Sequence, residues 1–465
     1  MITEKDVMHL GFLKKLPFKG SDQGMRFLLR SAKDAEELLS NITIGWNLGN
    51  TLDSWNNGGP GPKTELDLET YWGNPETTKA MIDTVRKAGF NTVRIPVSWG
   101  DHIDASGNIS KEWLDRVQEV VNYAYDGGMF VIINTHHDES WMKFDKSGSA
   151  KSIKMFKNVW KQISARFKNY NQRLIFEGLN EPRIVGTPNE WGGGTAEERE
   201  IINEYHKAFI ETVRSSGGNN KTRLLLLTPH GAKEFWHSMS ELYVPTDDKM
   251  VAVSIHPYVP GEAVWGESYK FDDNSKQTID NTFNAINDLF LSKGISVVVT
   301  EYGTSDKKNT SDRVKHAEYY LSTATKYGIP CCWWDTGDLT LLNRNELKWN
   351  FSNIVKTIIN NASKSPFTSK GKLAAPTGFK ASRSQTEITL TWNSVKGADA
   401  YRVYRYNEKT GKYVKYKDVS DVQCTITGLK KNTKYKFKVT PLTQNSNGEY
   451  VKHTNTNTKT ATTKK

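Results

Sequence analysis

Two glutamates stand where apolar runs of this chain stop: Glu181 in the segment GLNEP and Glu301 in the segment TEYG. A pair of carboxyls is what cleavage of an acetal between sugars requires, one to protonate the leaving oxygen and one to attack or to activate water. Most of the other apolar runs also stop on polar or aromatic groups. The first ends in Trp46-Asn47-Leu48-Gly49-Asn50, the second contains Arg94, and the third ends in His136-His137-Asp138. Asn180 directly precedes Glu181, the fifth run reaches His230, the sixth ends in His256-Pro257-Tyr258, and the eighth ends in Trp333-Trp334-Asp335.

The elements that must position these groups follow from the alternation, over residues 32–361, of short apolar runs with amphipathic helical stretches. That is the pattern of parallel strands joined by crossover helices. Eight strands are expected: Ile42–Trp46, Thr92–Val97, Phe130–Asn134, Leu174–Glu177, Arg223–Thr228, Val251–His256, Val297–Glu301 and Cys331–Asp335. Helices are expected at Pro75–Ala88, Lys111–Tyr125, Ala196–Ser215 and Ser311–Tyr327, the first with Pro at its start and Gly89 after its end. Near-continuous apolar strands such as residues 224–227 and 297–299 suit a sheet buried on both faces. The fold class expected is α/β, a (β/α)8 TIM barrel. A doubly wound open sheet is the alternative, but no Gly-rich phosphate loop follows the first strand. In a barrel the reacting groups sit at the carboxyl ends of the strands. Glu181 and Glu301, on the fourth and seventh, would then face each other across the mouth, and a span of about 5 Å would allow direct attack and retention of configuration.

A chain of 465 residues exceeds what one core usually serves, so two domains are expected. Their limits read as 1–363 for the barrel, 364–375 for a linker rich in Ser, Lys, Gly and Pro, and 376–465 for a run of alternating strands. Charge divides along the same line. From Pro376 onward there are 18 Lys and Arg against 6 Asp and Glu, a balance of +12, which leaves the rest at −1 within the total of +11. A balanced catalytic domain suits a neutral substrate and argues against nucleic acid as partner. No stretch is long and apolar enough to span a membrane, and Met1–Arg30 carries no apolar core ahead of a small-residue cleavage site. The three cysteines give no disulfide framework, and 14 Trp with 19 Tyr is rich enough to furnish flat faces for sugar rings.

Taken together, Arg94 in NTVRIPVSW, His136 in NTHHDE, Asn180 and Glu181 in GLNEP, His256 and Tyr258 in SIHPY, Glu301 in TEYG and Trp334 in CWWD resemble glycoside hydrolase family 5, of clan A, over residues 25–361. The opening GWNLGNTLDSW and the doubled histidine resemble the subfamily of endoglucanases, lichenases and xyloglucanases. That resemblance implies Glu181 as general acid/base and Glu301 as nucleophile. It implies that Arg94 holds Glu301 charged, that Tyr258 donates to it, and that His256 modulates Glu181. Asn180 would bind the sugar 2-hydroxyl, His136 the sugar in the −1 subsite, and Trp334 would form the floor there. The tail resembles a fibronectin type III module, with Trp392, Tyr401, Leu429 and Tyr435 at its core aromatic and leucine positions.

Plainer readings compete at several positions. A strand arginine often only neutralises a buried carboxylate, and a histidine after a strand, such as His230, is usually structural. Among the loop tryptophans Trp55, Trp72, Trp99, Trp141, Trp191 and Trp265, Trp141 is the favoured sugar contact because it follows directly from the third strand. His137 and Asn47 join the expected substrate-binding set. A metal at His136-His137-Asp138-Glu139 is not expected, because neighbours on an extended segment face opposite ways. The expectation is therefore a secreted, monomeric, retaining endo-β-1,4-glucanase that needs no cofactor. Its partner is a β-glucan, and the type III module serves as spacer or surface contact. Xyloglucanase, mixed-linkage glucanase and mannanase are the alternatives on the same machinery, and a sugar-binding barrel without catalysis is the alternative outside enzymes.

Overall fold

A computed structural model describes residues 32–59, 61–362 and 365–465. The leader reading at Met1–Arg30 and Lys364 at the head of the linker lie outside the described residues. Eight parallel strands close into a barrel: β1 (Gly45–Asn47), β2 (Thr92–Ile95), β3 (Phe130–Asn134), β4 (Leu174–Glu177), β5 (Leu225–Leu227), β6 (Val251–Ile255), β7 (Val297–Tyr302) and β8 (Cys331–Trp334). The seam closes where Gly45 of β1 pairs with Cys332 of β8, and a Cβ on Gly45 would lie 2.2 Å from the Cys332 sulfur, so only glycine fits.

Period-two alternation along the strands sorts side chains into two shells. Val93, Ile133, Phe176 and Val299 point out, under the helices, while Ile132, Ile175, Leu226, Ala252, Val298 and Cys332 fill the lower barrel. The short helix α1 (Ala35–Leu39) plugs that lower end with Ala35, Leu38 and Leu39, and Asp34 caps it by accepting from the Glu37 N–H. Higher up, the inward positions of six of the strands turn polar: Asn47, Arg94, Asn134, Glu177, Ser254 and Thr300, all fully buried. The apolar layer supports this polar one, which in turn supports the mouth.

The outer helices include α2 (Lys79–Ala88), α3 (Lys111–Tyr125), α4 (Ser149–Phe167) and α5 (Ala196–Ser215). The first begins four residues after the expected Pro75. Thr78 is extended, at φ −112° and ψ 156°, and its hydroxyl accepts from the Met81 N–H as a cap. The helix ends as expected on Gly89, whose φ of 119° suits no other residue well. After the eighth strand come a small hairpin, β9 (Leu342–Asn343) with β10 (Lys348–Trp349), and a helix at Ser352–Asn361.

The tail forms two antiparallel sheets. One contains β11 (Lys380–Arg383), β12 (Ile388–Thr391) and β15 (Gln423–Ile426). The other contains β13 (Ala400–Asn407), β14 (Lys412–Val419), β16 (Lys434–Gln444), β17 (Tyr450–Lys452) and β18 (Lys459–Thr462). Trp392, Tyr401, Val403, Leu429, Phe437 and Val439 pack between them.

The segment read as a linker is packed down. Phe367 and Leu373 bridge to each other and are buried, Leu373 within the same apolar cluster as the outer barrel shell. Arg173, just before β4, ties the sandwich to the lower end of the barrel. Its Nη1 donates to the carbonyls of Tyr125 and Met129 at 2.8 and 3.0 Å, its Nη2 to the Gln444 carbonyl, and its Nε to Asp399 at 3.1 Å. Asp126 accepts from the Ser446 N–H at 2.6 Å, and His453 Nδ1 accepts from the Leu373 N–H at 3.2 Å.

Candidate active site

The mouth is built upward from the polar layer, and Arg94 is its hub. Fully buried, Arg94 donates from Nη1 to Glu301 Oε1 at 2.6 Å and to Asn47 Oδ1 at 3.0 Å, from Nε to Glu177 Oε2 at 2.8 Å, and from Nη2 to Asn180 Oδ1 at 2.7 Å. A cation taken out of water needs such partners. Burial would lower its proton affinity, but the charges of Glu177 and Glu301 more than reverse that and keep it ionised. Arg94 therefore acts from beneath the carboxylates, on Glu301, and does not line the cleft.

Asn47, expected to touch substrate, is corrected. It is fully buried, its Oδ1 serves Arg94, and its Nδ2 donates to the Thr300 and Trp333 carbonyls at 2.9 and 3.1 Å. No polar atom is left to reach a sugar. Glu177 was missed as a functional residue although it closes the network. Its Oε2 accepts from Arg94 and from Asn134 Nδ2, and its Oε1 accepts from Ser254 Oγ at 2.6 Å. The available signal was a carboxylate two places beyond inward-facing Ile175, in a strand otherwise apolar.

Above this layer the two glutamates approach each other. Glu181, His256 and Glu301 each bring one atom to within 4.8 Å of the others. Tyr258 donates its hydroxyl to Glu301 Oε2 at 2.8 Å, and burial together with that carboxylate raises the phenol well above its ordinary range, so it stays a donor. His256 Nδ1 lies 2.9 Å from Glu181 Oε1 and 3.6 Å from Glu301 Oε2. Burial works to raise the Glu181 carboxyl, but the His256 hydrogen bond and charge, with Arg183 and Lys233, outweigh it and hold the group down at about 2. Asn180, with Oδ1 given to Arg94, has its amide orientation fixed, which leaves Nδ2 as the donor for an incoming group.

Aromatic rings continue from this centre along the β8, β3 and β1 side. His136 stacks on Trp334 at 5.7 Å and 5°, His137 lies against His136 at 4.5 Å, Trp72 against His137 at 5.5 Å, and Trp55 against Trp72 at 6.5 Å. The Asn134 amide faces His136 Nδ1 at 3.1 Å while its Oδ1 accepts from the Val97 N–H, so neutral His136 carries its proton on Nε2. Burial and the neighbouring positive charges of His137 and Arg94 keep it neutral.

That tautomer decides how the cluster of Asp53, His136 and His137 behaves, whose atoms also lie within 4.8 Å of one another. The expectation that adjacent histidines face apart does not hold, because β3 ends at Asn134 and strand alternation ends with it. Nε2 nevertheless presents a proton and not a lone pair, so His136 is a donor there, 4.0 Å from the buried Asp53 carboxylate. Asp138 is a clasp: its Oδ1 accepts from the N–H groups of Trp99 and Gly100 and from the Trp141 indole at 2.9, 2.7 and 2.9 Å. Trp141 is thereby tied to the loop after β2 and makes no described ring contact with His136, Trp334 or the two glutamates. Burial pushes the Asp138 carboxyl up to about 7. His230 hydrogen-bonds Glu198 at 2.8 Å in the interior, as a structural histidine does.

On the opposite side, the loops after β4, β5 and β6 carry exposed Trp191 and Trp265 with Lys233 between them, its Nζ 5.4 and 4.8 Å from the two rings. Aromatic rings thus stand on both sides of the barrel mouth that carries the two carboxylates.

Residues 57–339 match the family described as Cellulase (glycosyl hydrolase family 5), and residues 374–457 match the fibronectin type III domain. Endoglucanase A of Clostridium longisporum is 41% identical over 347 residues, covering 71% of this chain and 66% of that one. Endoglucanase 1 of Ruminococcus albus is 45% identical over 351 residues, covering 71% and 82%. A solved GH5-4 broad specificity endoglucanase from Ruminococcus champanellensis, with bound cellotriose, is 40% identical at a TM-score of 0.68, covering 71% of this chain and 99% of that one.

Proposed function

Because the chain belongs to glycosyl hydrolase family 5, we propose that it is a secreted, monomeric endo-β-1,4-glucanase that cuts internal bonds of β-glucans with retention, through Glu301 as nucleophile and Glu181 as general acid/base. One observation carries this reading: two carboxylates within 4.8 Å of each other, one gripped by Arg94 and Tyr258, the other by His256. Carboxyl groups about 5 Å apart leave no room for a water between carboxylate and sugar, so the nearer carboxylate attacks the anomeric carbon itself.

In the first step Glu301 attacks while Glu181 protonates the leaving oxygen. In the second, Glu181 takes a proton from water, which attacks the same carbon from the face the leaving group vacated. The two groups must differ in charge at one pH, and their neighbours supply the difference. Arg94 and Tyr258 both donate to Glu301 and stabilise it as an anion. Glu181 lies 2.9 Å from His256 Nδ1, and a neutral sugar chain binding over it strips water from Glu181, which favours the uncharged acid. Asn180 Nδ2 and His136 Nε2 are the donors for sugar hydroxyls at the reacting ring, and Trp334 is the flat surface under it. The ring series towards Trp55 receives the non-reducing side of the chain, and Trp191 with Trp265 the leaving side. Aromatic surfaces on both sides of the carboxylates suit a polymer bound at internal positions, and a substrate polymer too large to enter a cell supports the reading that the enzyme is secreted.

The test is product stereochemistry followed by proton NMR on barley β-glucan, with rates compared on carboxymethyl cellulose, xyloglucan and mannan. A β-anomer as first product and activity on the glucans are expected. An α-anomer as first product, or activity confined to mannan, would sink the reading.

A further inference from the structure

The net positive charge of this chain lies outside the barrel, concentrated in the sandwich and ordered there. In the five-stranded sheet, Tyr401, Val403, Phe437 and Val439 face the core, so their neighbours Arg402, Tyr404, Tyr406, Lys434, Lys436 and Lys438 face outward. Tyr406 pairs directly with Tyr413 of β14, and their rings meet at 5.1 Å and 64°. Lys436 holds its ammonium 4.5 Å from the Tyr406 ring, and Lys438 holds its own 4.6 Å from the Tyr413 ring. The Tyr413 hydroxyl is fixed by Thr458 Oγ1 at 2.7 Å, and Tyr416 stands exposed beside a register shift in β14.

We propose that this outward face binds an acidic polysaccharide, a polyuronate chain, as a second carbohydrate site separate from the mouth. Five cations, Arg402, Lys415, Lys434, Lys436 and Lys438, share the face with two carboxylates. Asp418 is taken up by Arg402 at 2.7 Å and Lys415 at 2.8 Å, and Glu408 lies 3.4 Å from Lys436. The surplus is positive, and the lysines flank two tyrosine rings already fixed in place. Carboxylates spaced along a sugar chain meet the ammonium groups, and the apolar faces of the rings between them meet tyrosine. Ordering lysine over an aromatic ring before binding reduces the entropy that a free lysine would lose. The choice of carbohydrate over nucleic acid rests on the family reading above.

The face is clear of the barrel. Its rings lie six residues along β13 from Ala400, about 20 Å at strand spacing, while the contacts with the barrel are made at Asp399 and Gln444. A second lysine-rich surface provides a control: a groove of about 780 Å³ between α4 and α5 lined by Lys151, Lys154, Lys157 and Lys161, which has no aromatic ring.

The experiment is native affinity electrophoresis of the full chain through gels containing polygalacturonate, a polymer with no β-glucosyl bond to cut. Retardation is expected at low salt and its loss near 0.5 M salt, roughly where the screening length falls below the spacing of the charges. Lys436→Glu with Lys438→Glu should weaken binding about tenfold or more. Lys436→Gln with Lys438→Gln, which preserves length, serves if charge reversal unfolds the sandwich. Tyr406→Ala with Tyr413→Ala should also weaken it, and Lys151→Glu with Lys154→Glu should not. Hydrolysis of soluble β-glucan should be unchanged in every variant, which separates this site from the catalytic reading. The proposal is overturned if the wild type is not retarded, if the groove variant abolishes retardation, or if the tyrosine variant binds normally while DNA is retarded as strongly as polyuronate.

Discussion

Replacing Asp399 by alanine should lower the stability of the whole molecule and leave its chemistry alone. The carboxylate lies 3.1 Å from Arg173 Nε and also accepts the Gln444 N–H at 2.7 Å. Both members of the ion pair are largely buried, with side-chain exposures of 3% and 10%. Removing one partner of such a pair costs about 3 to 5 kcal/mol, since a charge is left out of water without its counterion. Arg173 keeps the Tyr125, Met129 and Gln444 carbonyls, which favours the lower figure. The size of the melting shift then reports how the domains unfold. At about 2.1 cal/mol/K per residue, a single transition of roughly 430 residues carries about 0.9 kcal/mol/K, so 3 kcal/mol moves it by about 3 °C. Were the sandwich to melt alone, its roughly 90 residues would carry only about 0.2 kcal/mol/K, and the same loss would bring a separate transition down by about 15 °C. Calorimetry distinguishes the two, with turnover on soluble β-glucan at 25 °C as the control for the mouth. An unchanged thermogram would refute the claim that this contact joins the domains, and a loss of turnover would refute the separation of dock and mouth.

Glu177→Gln should fold and reduce kcat by about tenfold to a hundredfold, the value of one charge-assisted hydrogen bond expressed at the nucleophile. Because Glu177 is fully buried, KM should move little, and a change confined to KM would contradict its placement beneath Glu301. Lys233→Met removes one of the charges that hold Glu181 down, so the proton affinity of Glu181 rises. The alkaline limb of kcat, which reports the general acid in the substrate complex, should then move to higher pH; no movement, or movement to lower pH, would show that Lys233 does not act on Glu181. With an activated aryl cellobioside and azide, Glu181→Ala should release the β-glycosyl azide and Glu301→Ala the α-glycosyl azide, and the reverse pattern would exchange their roles.

The barrel was largely legible because its strands are marked by apolar runs with polar ends, and β3, β4 and the start of β7 begin and end within a residue of expectation. The carboxylate pair was legible for the same reason: each glutamate follows the last apolar residues of its strand. Asn47 was placed one layer too high, since a sequence shows that a polar residue is inward but not whether it reaches the surface of the cleft. Glu177 was passed over because a strand-end glutamate below another glutamate looks redundant until Arg94 is seen to need two anions. The start of α2 was missed because Pro75 is a commoner opening signal than Thr78, yet the threonine hydroxyl was the one in reach of the Met81 N–H. The packing of residues 365–375 was invisible to composition. Their Ser, Gly and Lys suit a free linker, and only Phe367 and Leu373 hint at burial, which depends on surfaces far away in the chain.

Arg173 and its partners also bear on how such proteins can be assembled from parts. A domain joined by a loose tether can be exchanged for another, as long as both fold. Here a transplanted sandwich would need an acid at the place of Asp399, a carbonyl where Gln444 offers one, and a ring nitrogen where His453 receives the Leu373 N–H. A recipient barrel would need an arginine in turn. The interchangeable unit is therefore barrel and sandwich together, and recombination within the chain that separates them would leave a buried cation on one side and an orphaned carboxylate on the other.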